Sequence, residues 1–124
     1  MHATTLIRLG AALLALAVML GAFGAHGLQN IVSPERLVTW QKANFYHFAH
    51  AIGLILLGLI IESGYAKKTV THSAWLMLLG IIIFSGSLYL LTLTGTTWLG
   101  AITPIGGLAF ITAWLMLALT LKKR

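Results

Sequence analysis

Apolar residues run almost unbroken along this chain, and its few polar positions divide it into lengths that match a bilayer. Between Arg8 and His26 lie seventeen residues, Leu9 to Ala25, without a charge. At about 1.5 Å per residue they cover most of a ~30 Å hydrocarbon core, and Thr4–Ile7 complete it. A second run, Ala43 to Ile61, has Asn44, His47 and His50 as its polar exceptions. After Lys68 no charge appears until Lys122, a stretch too long for one helix; Thr92-Leu93-Thr94-Gly95-Thr96-Thr97 supplies the break. The pattern predicts helices near 4–27, 43–63, 73–94 and 98–121 within one transmembrane domain. The expected fold is an all-α integral membrane four-helix bundle.

The connections differ in character. Leu28–Lys42 contains Ser33-Pro34-Glu35, which reads as an N-cap, a proline in the first turn and an acid beside the helix N-terminus. It predicts a short amphipathic helical segment between helices 1 and 2, laying Leu37 and Trp40 along the interface before running into the second span. The Thr-rich break between the third and fourth spans is short enough to make those helices antiparallel neighbours. Arg8, an apolar run and small residues near Ala25 loosely resemble a signal peptide, but the run is long for one, and a retained first helix is expected.

Composition agrees: 59% of the 124 residues are hydrophobic and 8% are charged, against about a quarter in soluble domains. The only acids are Glu35 and Glu62, and there is no cysteine. That removes paired-carboxylate hydrolysis, carboxylate metal sites, disulfides, thiolate metal sites and a cysteine nucleophile. The net charge of +6 is better explained by topology than by nucleic acid. With four spans, Arg8, Lys67, Lys68, Lys122, Lys123 and Arg124 share one side, and Arg36 and Lys42 the other. The positive-inside rule then places both termini in the cytoplasm, with the chain in the cell (inner) membrane and the basic tail attracted to anionic lipid.

Polar groups inside spans are costly and usually face the bundle interior or a cavity. Measured from Lys42, His47 lies about 7 Å and His50 about 12 Å into the second span. His26 closes the first span on that side. Ser85, Ser87 and Tyr89 fall in the outer half of the third span, and Thr103 about a turn and a half into the fourth. With Asn44, they form a candidate polar cluster at the depth of the outer leaflet. His47 and His50 are three apart, and with His26 they are the candidate nitrogen ligands if a metal or haem is held. No carboxylate within the spans on that side would orient such ligands. An interhelical hydrogen-bond network is the favoured reading, with no metal and no cofactor.

Gly21, Gly24, Gly27, Gly86, Gly106 and Gly107 are expected where helices approach closely. Pro104 is expected to bend the fourth helix and free the carbonyl of Gly100. Trp40, Trp75 and Trp98 fit an interfacial belt, and Trp114 lies one to two turns inside.

Several of these segments together resemble a known family. Gly21-Ala22-Phe23-Gly24-Ala25-His26-Gly27-Leu28 is similar to the first-helix signature of the domain of unknown function 423 family, whose animal relatives are called transmembrane protein 256-like. Trp40-Gln41, Tyr46-His47, His50-Ala51, Phe84-Ser85-Gly86-Ser87-Leu88-Tyr89-Leu90-Leu91, Ile102-Thr103-Pro104-Ile105-Gly106-Gly107 and Trp114 occur in that family's order, across essentially the whole chain. The resemblance implies a small multi-pass protein without established enzymatic activity or cofactor, and a role in membrane integrity has been suggested for a staphylococcal relative. Relatives often carry Gln at the position of His47, which weighs against a three-histidine metal site. The expected function is support of membrane integrity and homeostasis or of a partner complex. The alternative is a module that binds or translocates a lipid, quinone, haem or metal at the polar cluster. Expected partners are membrane lipids and a second copy or another membrane protein.

Overall fold

The computed structural model describes residues 1–123. Four helical rods, Ala3–His26, Pro34–Glu62, Lys67–Thr94 and Thr97–Thr120, are each long and apolar enough to cross a membrane. The shortest has 24 residues, or about 36 Å at the helical rise. In finer detail the chain forms α1 (Ala3–His26), α2 (Pro34–Glu62), α3 (Lys67–Gly80), a π-helical turn (Ile81–Ser85), α4 (Gly86–Thr94), a 3₁₀ turn (Thr97–Ala101) and α5 (Thr103–Thr120).

The helical segment expected between the first two spans starts at Ser33-Pro34 and runs on into the second span as one helix. Ser33 caps α2, its hydroxyl accepting from the Arg36 amide at 3.3 Å, with Pro34 in the first turn. From there one helix continues unbroken through Glu62. Trp40 consequently points inward, 2% exposed, instead of lying along the interface.

Helix α1 packs along α2 and makes only marginal contact with the rest. Its buried residues Ala3, Leu6, Gly10, Ala17 and Gly24 are spaced by three, four and seven, a heptad-like seam. Two glycines allow the approach. A Cβ at Gly10 would lie 2.8 Å from the Ala51 carbonyl oxygen, and one at Gly58 would lie 2.9 Å from that of Ala3. Without a hydrophobic drive between helices in lipid, this closeness lets dispersion and hydrogen bonds hold the pair.

The remaining rods meet around Leu54, Leu57, Val70, Ala74, Met77, Ile81, Phe110 and Ala113, with Leu6 reaching in from α1. Phe110 covers Gly80, and the backbone of Phe84 in the π turn lies against Gly106 so closely that a Cβ there would collide with it. A π turn adds one residue to the helical count and re-aims the side chains beyond it. Here Ser85 donates to the Ala43 carbonyl of α2 at 2.7 Å.

Pro104 is not in the middle of a helix. The 3₁₀ turn precedes it, and it occupies the first turn of α5, where its missing N–H has no intrahelical partner to lose. Instead of a bend in mid-helix, the proline marks the junction between the 3₁₀ turn and α5.

One end of the bundle gathers both termini and the α2–α3 connection. The Ala66 amide donates to the Lys122 carbonyl at 2.8 Å, Tyr65 and Lys123 form an antiparallel bridge, and the amino terminus reaches Thr71 Oγ1 at 3.5 Å. At the opposite end the Arg36 guanidinium lies beside Gly95, and Thr92 Oγ1 donates to the Arg36 carbonyl at 3.3 Å.

Candidate functional site

Polar side chains of α2 reach in two directions. Toward α1, the Trp40 indole donates to the Leu20 carbonyl at 2.9 Å, and Asn44 Nδ2 donates to the Ala17 carbonyl at 2.8 Å. These carbonyls already belong to the α1 ladder, so each uses a second lone pair. Asn44 Nδ2 also donates to the Tyr89 hydroxyl of α4 at 3.2 Å, and His47 Nδ1 lies 2.9 Å from the same oxygen. Since the phenol oxygen accepts from Asn44, its single proton is free for His47 Nδ1, which leaves the imidazole proton on Nε2. That Nε2 is enclosed without a hydrogen-bond partner, beside the backbone of Leu13.

His50 turns the other way, about 60° around the helix from His47. Its Nδ1 is 2.8 Å from the Tyr46 carbonyl, and its Nε2 accepts from the Trp114 indole of α5 at 3.0 Å. The imidazole also stacks on Phe110, with ring centroids 3.5 Å apart. Ser87 and Thr103 share a 2.6 Å hydrogen bond between α4 and the start of α5. One hydroxyl donates to the other, and the proton of the acceptor goes to a carbonyl of its own helical turn, Phe84 for Ser87 or Leu99 for Thr103.

The predicted cluster is therefore several interhelical links and not one pocket. Asn44, His47 and Tyr89 meet; Ser87 and Thr103 meet; Ser85 and His50 each bond elsewhere. His26 is exposed at the end of α1 and joins none of them. Among the described residues no three His, Asp or Glu side chains approach as metal ligands would, and His26, His47 and His50 do not converge. The glycines divide similarly. Gly21 faces Asn44 and Gly24 faces Trp40. Gly27 caps α1 beneath the Phe23 ring of the same helix, Gly86 has open space beside it, and Gly107 has no more than ordinary contact with Phe84.

Several cavities border these links, among them one of about 270 Å³ lined by Gly21, Gly24, Trp40, Gln41, Asn44 and Phe45. Another of about 260 Å³, lined by Leu13, Leu16, Leu20, His47, Ile82 and Tyr89 among others, opens between α1 and the π turn. A third of about 310 Å³ lies among Tyr46, His50, Phe84, Phe110 and Trp114.

Residues 20–107 match the family model described as "Protein of unknown function (DUF423)". The chain belongs to that family. A UPF0382 membrane protein of Staphylococcus saprophyticus is 50% identical over 113 residues, covering 91% of this chain and 92% of its own. One from Staphylococcus haemolyticus is 49% identical over 117 residues, 94% of each chain. The UPF0382 membrane protein YwdK of Bacillus subtilis is 45% identical over 117 residues, 94% of this chain and 95% of its own. No solved structure matches.

This DUF423 protein is thus a small multi-pass membrane protein, and the matched stretch holds Trp40, Asn44, His47, Ser85, Tyr89 and Thr103 but not Trp114. Trp114 and Trp40 are the polar partners that periodicity hides. An indole in an apolar run reads as bulk or as an interfacial anchor, and only the N–H betrays it: buried indoles usually find an acceptor.

Proposed function

We propose that this DUF423 protein is a non-enzymatic component of the cell (inner) membrane that supports membrane integrity as a rigid bundle, with both termini cytoplasmic. What supports the reading is the use made of the intramembrane polar groups: Asn44, His50, Ser85, Ser87, Tyr89 and Thr103 bind other helices or backbone. Neither His47 nor His50 bonds a serine, so the base–nucleophile pairing of an acyl-transfer enzyme is not assembled. The six-to-two division of basic residues between the ends supports the orientation. Deletion in the native host, combined with dye-permeability and membrane-potential measurements, tests the role. Leakage restored by the intact gene is the expected outcome, and unchanged permeability under envelope stress would remove the proposal. Alkaline phosphatase and fluorescent-protein fusions at residues 30, 65 and 95 test the orientation; only the first and last should be active as the phosphatase.

A second reading, a ligand-binding module, rests on the enclosed and unpartnered His47 Nε2 beside the 260 Å³ cavity. Native mass spectrometry with absorbance and elemental analysis of the detergent-purified protein tests it. A stoichiometric quinone, haem, lipid or metal would favour it, and a mass equal to the bare chain would exclude it.

A further inference from the structure

We infer that the end of the bundle carrying both termini holds an anionic phospholipid headgroup between two lysine pairs, Lys67-Lys68 and Lys122-Lys123, joined by backbone pairing. A positive-inside bias alone would spread basic residues around a helix end. Here the chain does more. The Ala66 amide donates to the Lys122 carbonyl at 2.8 Å, and Tyr65 bridges Lys123, so the strand-like tail is pinned against the first turn of α3. Two lysine pairs from segments more than fifty residues apart in the chain are therefore held side by side at this end. Lys68, Lys122 and Lys123 are exposed, and Lys67 is half-buried. The amino terminus at Thr71 adds further positive charge nearby, and the one acid at that end, Glu62, closes α2.

Holding four like charges together costs free energy through mutual repulsion, and one carboxylate does not offset it. A counter-anion fixed at the same depth would. Phosphodiesters lie at that level of the bilayer, and basic clusters beside helix ends on the cytoplasmic side bind such headgroups. The start of α3 has no side-chain cap, which leaves its first amides directed toward the same region. Tyr65, half-buried beside Lys123, suits the amphipathic boundary at which such a lipid would sit.

The full chain is purified in detergent, and retention of phosphatidylglycerol is compared with that of phosphatidylcholine by native mass spectrometry, with inorganic phosphate as a competitor. Phosphatidylglycerol adducts should survive activation that strips phosphatidylcholine, and free phosphate should not displace them. K67Q/K68Q and K122Q/K123Q should each weaken retention by about tenfold or more, at about the worth of two lysines near a charged surface. R36Q/K42Q, at the opposite end, should leave it unchanged. A Gly-Gly-Ser insertion after Thr120, which keeps every lysine but unpins the tail, should weaken retention as much as K122Q/K123Q does. Circular dichroism and thermal unfolding verify that each variant is folded. Equal retention of the two lipids, displacement by phosphate, an equal loss in R36Q/K42Q, or full retention after the insertion would each overturn the proposal. The measurement has no sidedness, so its failure is separate from failure of the proposed orientation.

Discussion

The Trp114 indole N–H donates to Nε2 of His50 across 3.0 Å, and this bond joins two helices, α5 and α2, that otherwise have little backbone contact. Because Nε2 accepts, the His50 proton resides on Nδ1, where it donates to the Tyr46 carbonyl at 2.8 Å. Both ring nitrogens are thereby used, and one tautomer is selected by the fold. An imidazole deep in a span, the usual sign of a functional group, serves here as a bridge from the carbonyl of its own helix to an indole on another.

Replacing Trp114 by Phe should leave Nε2 of His50 without a donor and lower stability. Polar pairs in membrane bundles contribute on average about 0.6 kcal/mol and at most about 1.7 kcal/mol. Trp114→Phe, His50→Ala and the double variant, compared by unfolding in mixed micelles, should give a coupling of that order. Strict additivity would mean that the bond carries no net free energy.

Two glycines next to the π turn, Gly106 packed against it and Gly86 following it, should respond differently. Gly106→Ala places a methyl group into the Phe84 backbone, and the helices must separate to admit it. The expected loss is about 1–3 kcal/mol, as for other overpacked positions. At Gly86 nothing lies within 4 Å of an added Cβ. Gly86→Ala should therefore be neutral, or stabilising by up to about 1 kcal/mol through helix propensity. Thermal midpoints in detergent check both; a shared direction would contradict the packing.

The pattern of four apolar runs is directly readable because each span is a solution to one constraint, backbone hydrogen bonding in lipid. The observed rods start and stop close to the expected boundaries; α2 begins nine residues before its apolar run, where the Ser33-Pro34-Glu35 capping signal placed a helix start, and α3 begins early, at Lys67. Hydropathy locates the hydrocarbon and not the helix, so it is silent about turns that project beyond it. The polar cluster is legible as depth but not as direction. His47 and His50 are three positions apart, close enough to share a face, yet the 60° between them sends one to Tyr89 and the other to Trp114. Nor does periodicity register the π turn, whose extra residue shifts every face after Ser85. Hydropathy misplaces Pro104 for a related reason: a 3₁₀ turn looks like the first turn of a helix, which moves the proline inward.

The Asn44–Tyr89–His47 group and the Ser87–Thr103 pair should differ in sensitivity. Tyr89→Phe removes the shared hydroxyl, leaving His47 without a partner at either nitrogen and Asn44 bonded only to Ala17. Ser87→Ala leaves Thr103 still donating to the Leu99 carbonyl at 3.2 Å. An orphaned buried polar atom costs about 1–3 kcal/mol, whereas loss of a bond whose partner retains another is smaller. Tyr89→Phe should thus lower the unfolding midpoint clearly more than Ser87→Ala, and the reverse order would show that the phenol is not the hub.

The four tryptophans divide by exposure in a way that fluorescence can read. Trp75 is 55% and Trp98 65% exposed, Trp114 is 41% exposed, and Trp40 is 2% exposed. In a bilayer, exposure on the flank of a span means contact with acyl chains, and brominated chains quench an indole that they touch. Trp75→Phe/Trp98→Phe changes only lipid-facing positions and should fold normally while losing most of the quenchable emission. Adding Trp114→Phe should remove most of what remains, leaving Trp40 nearly unquenched in its contact with Gly24 and the Leu20 carbonyl. An interfacial Trp40, riding on a separate amphipathic segment, would instead be quenched comparably to Trp98. That outcome would mean that α2 does not continue unbroken from Pro34.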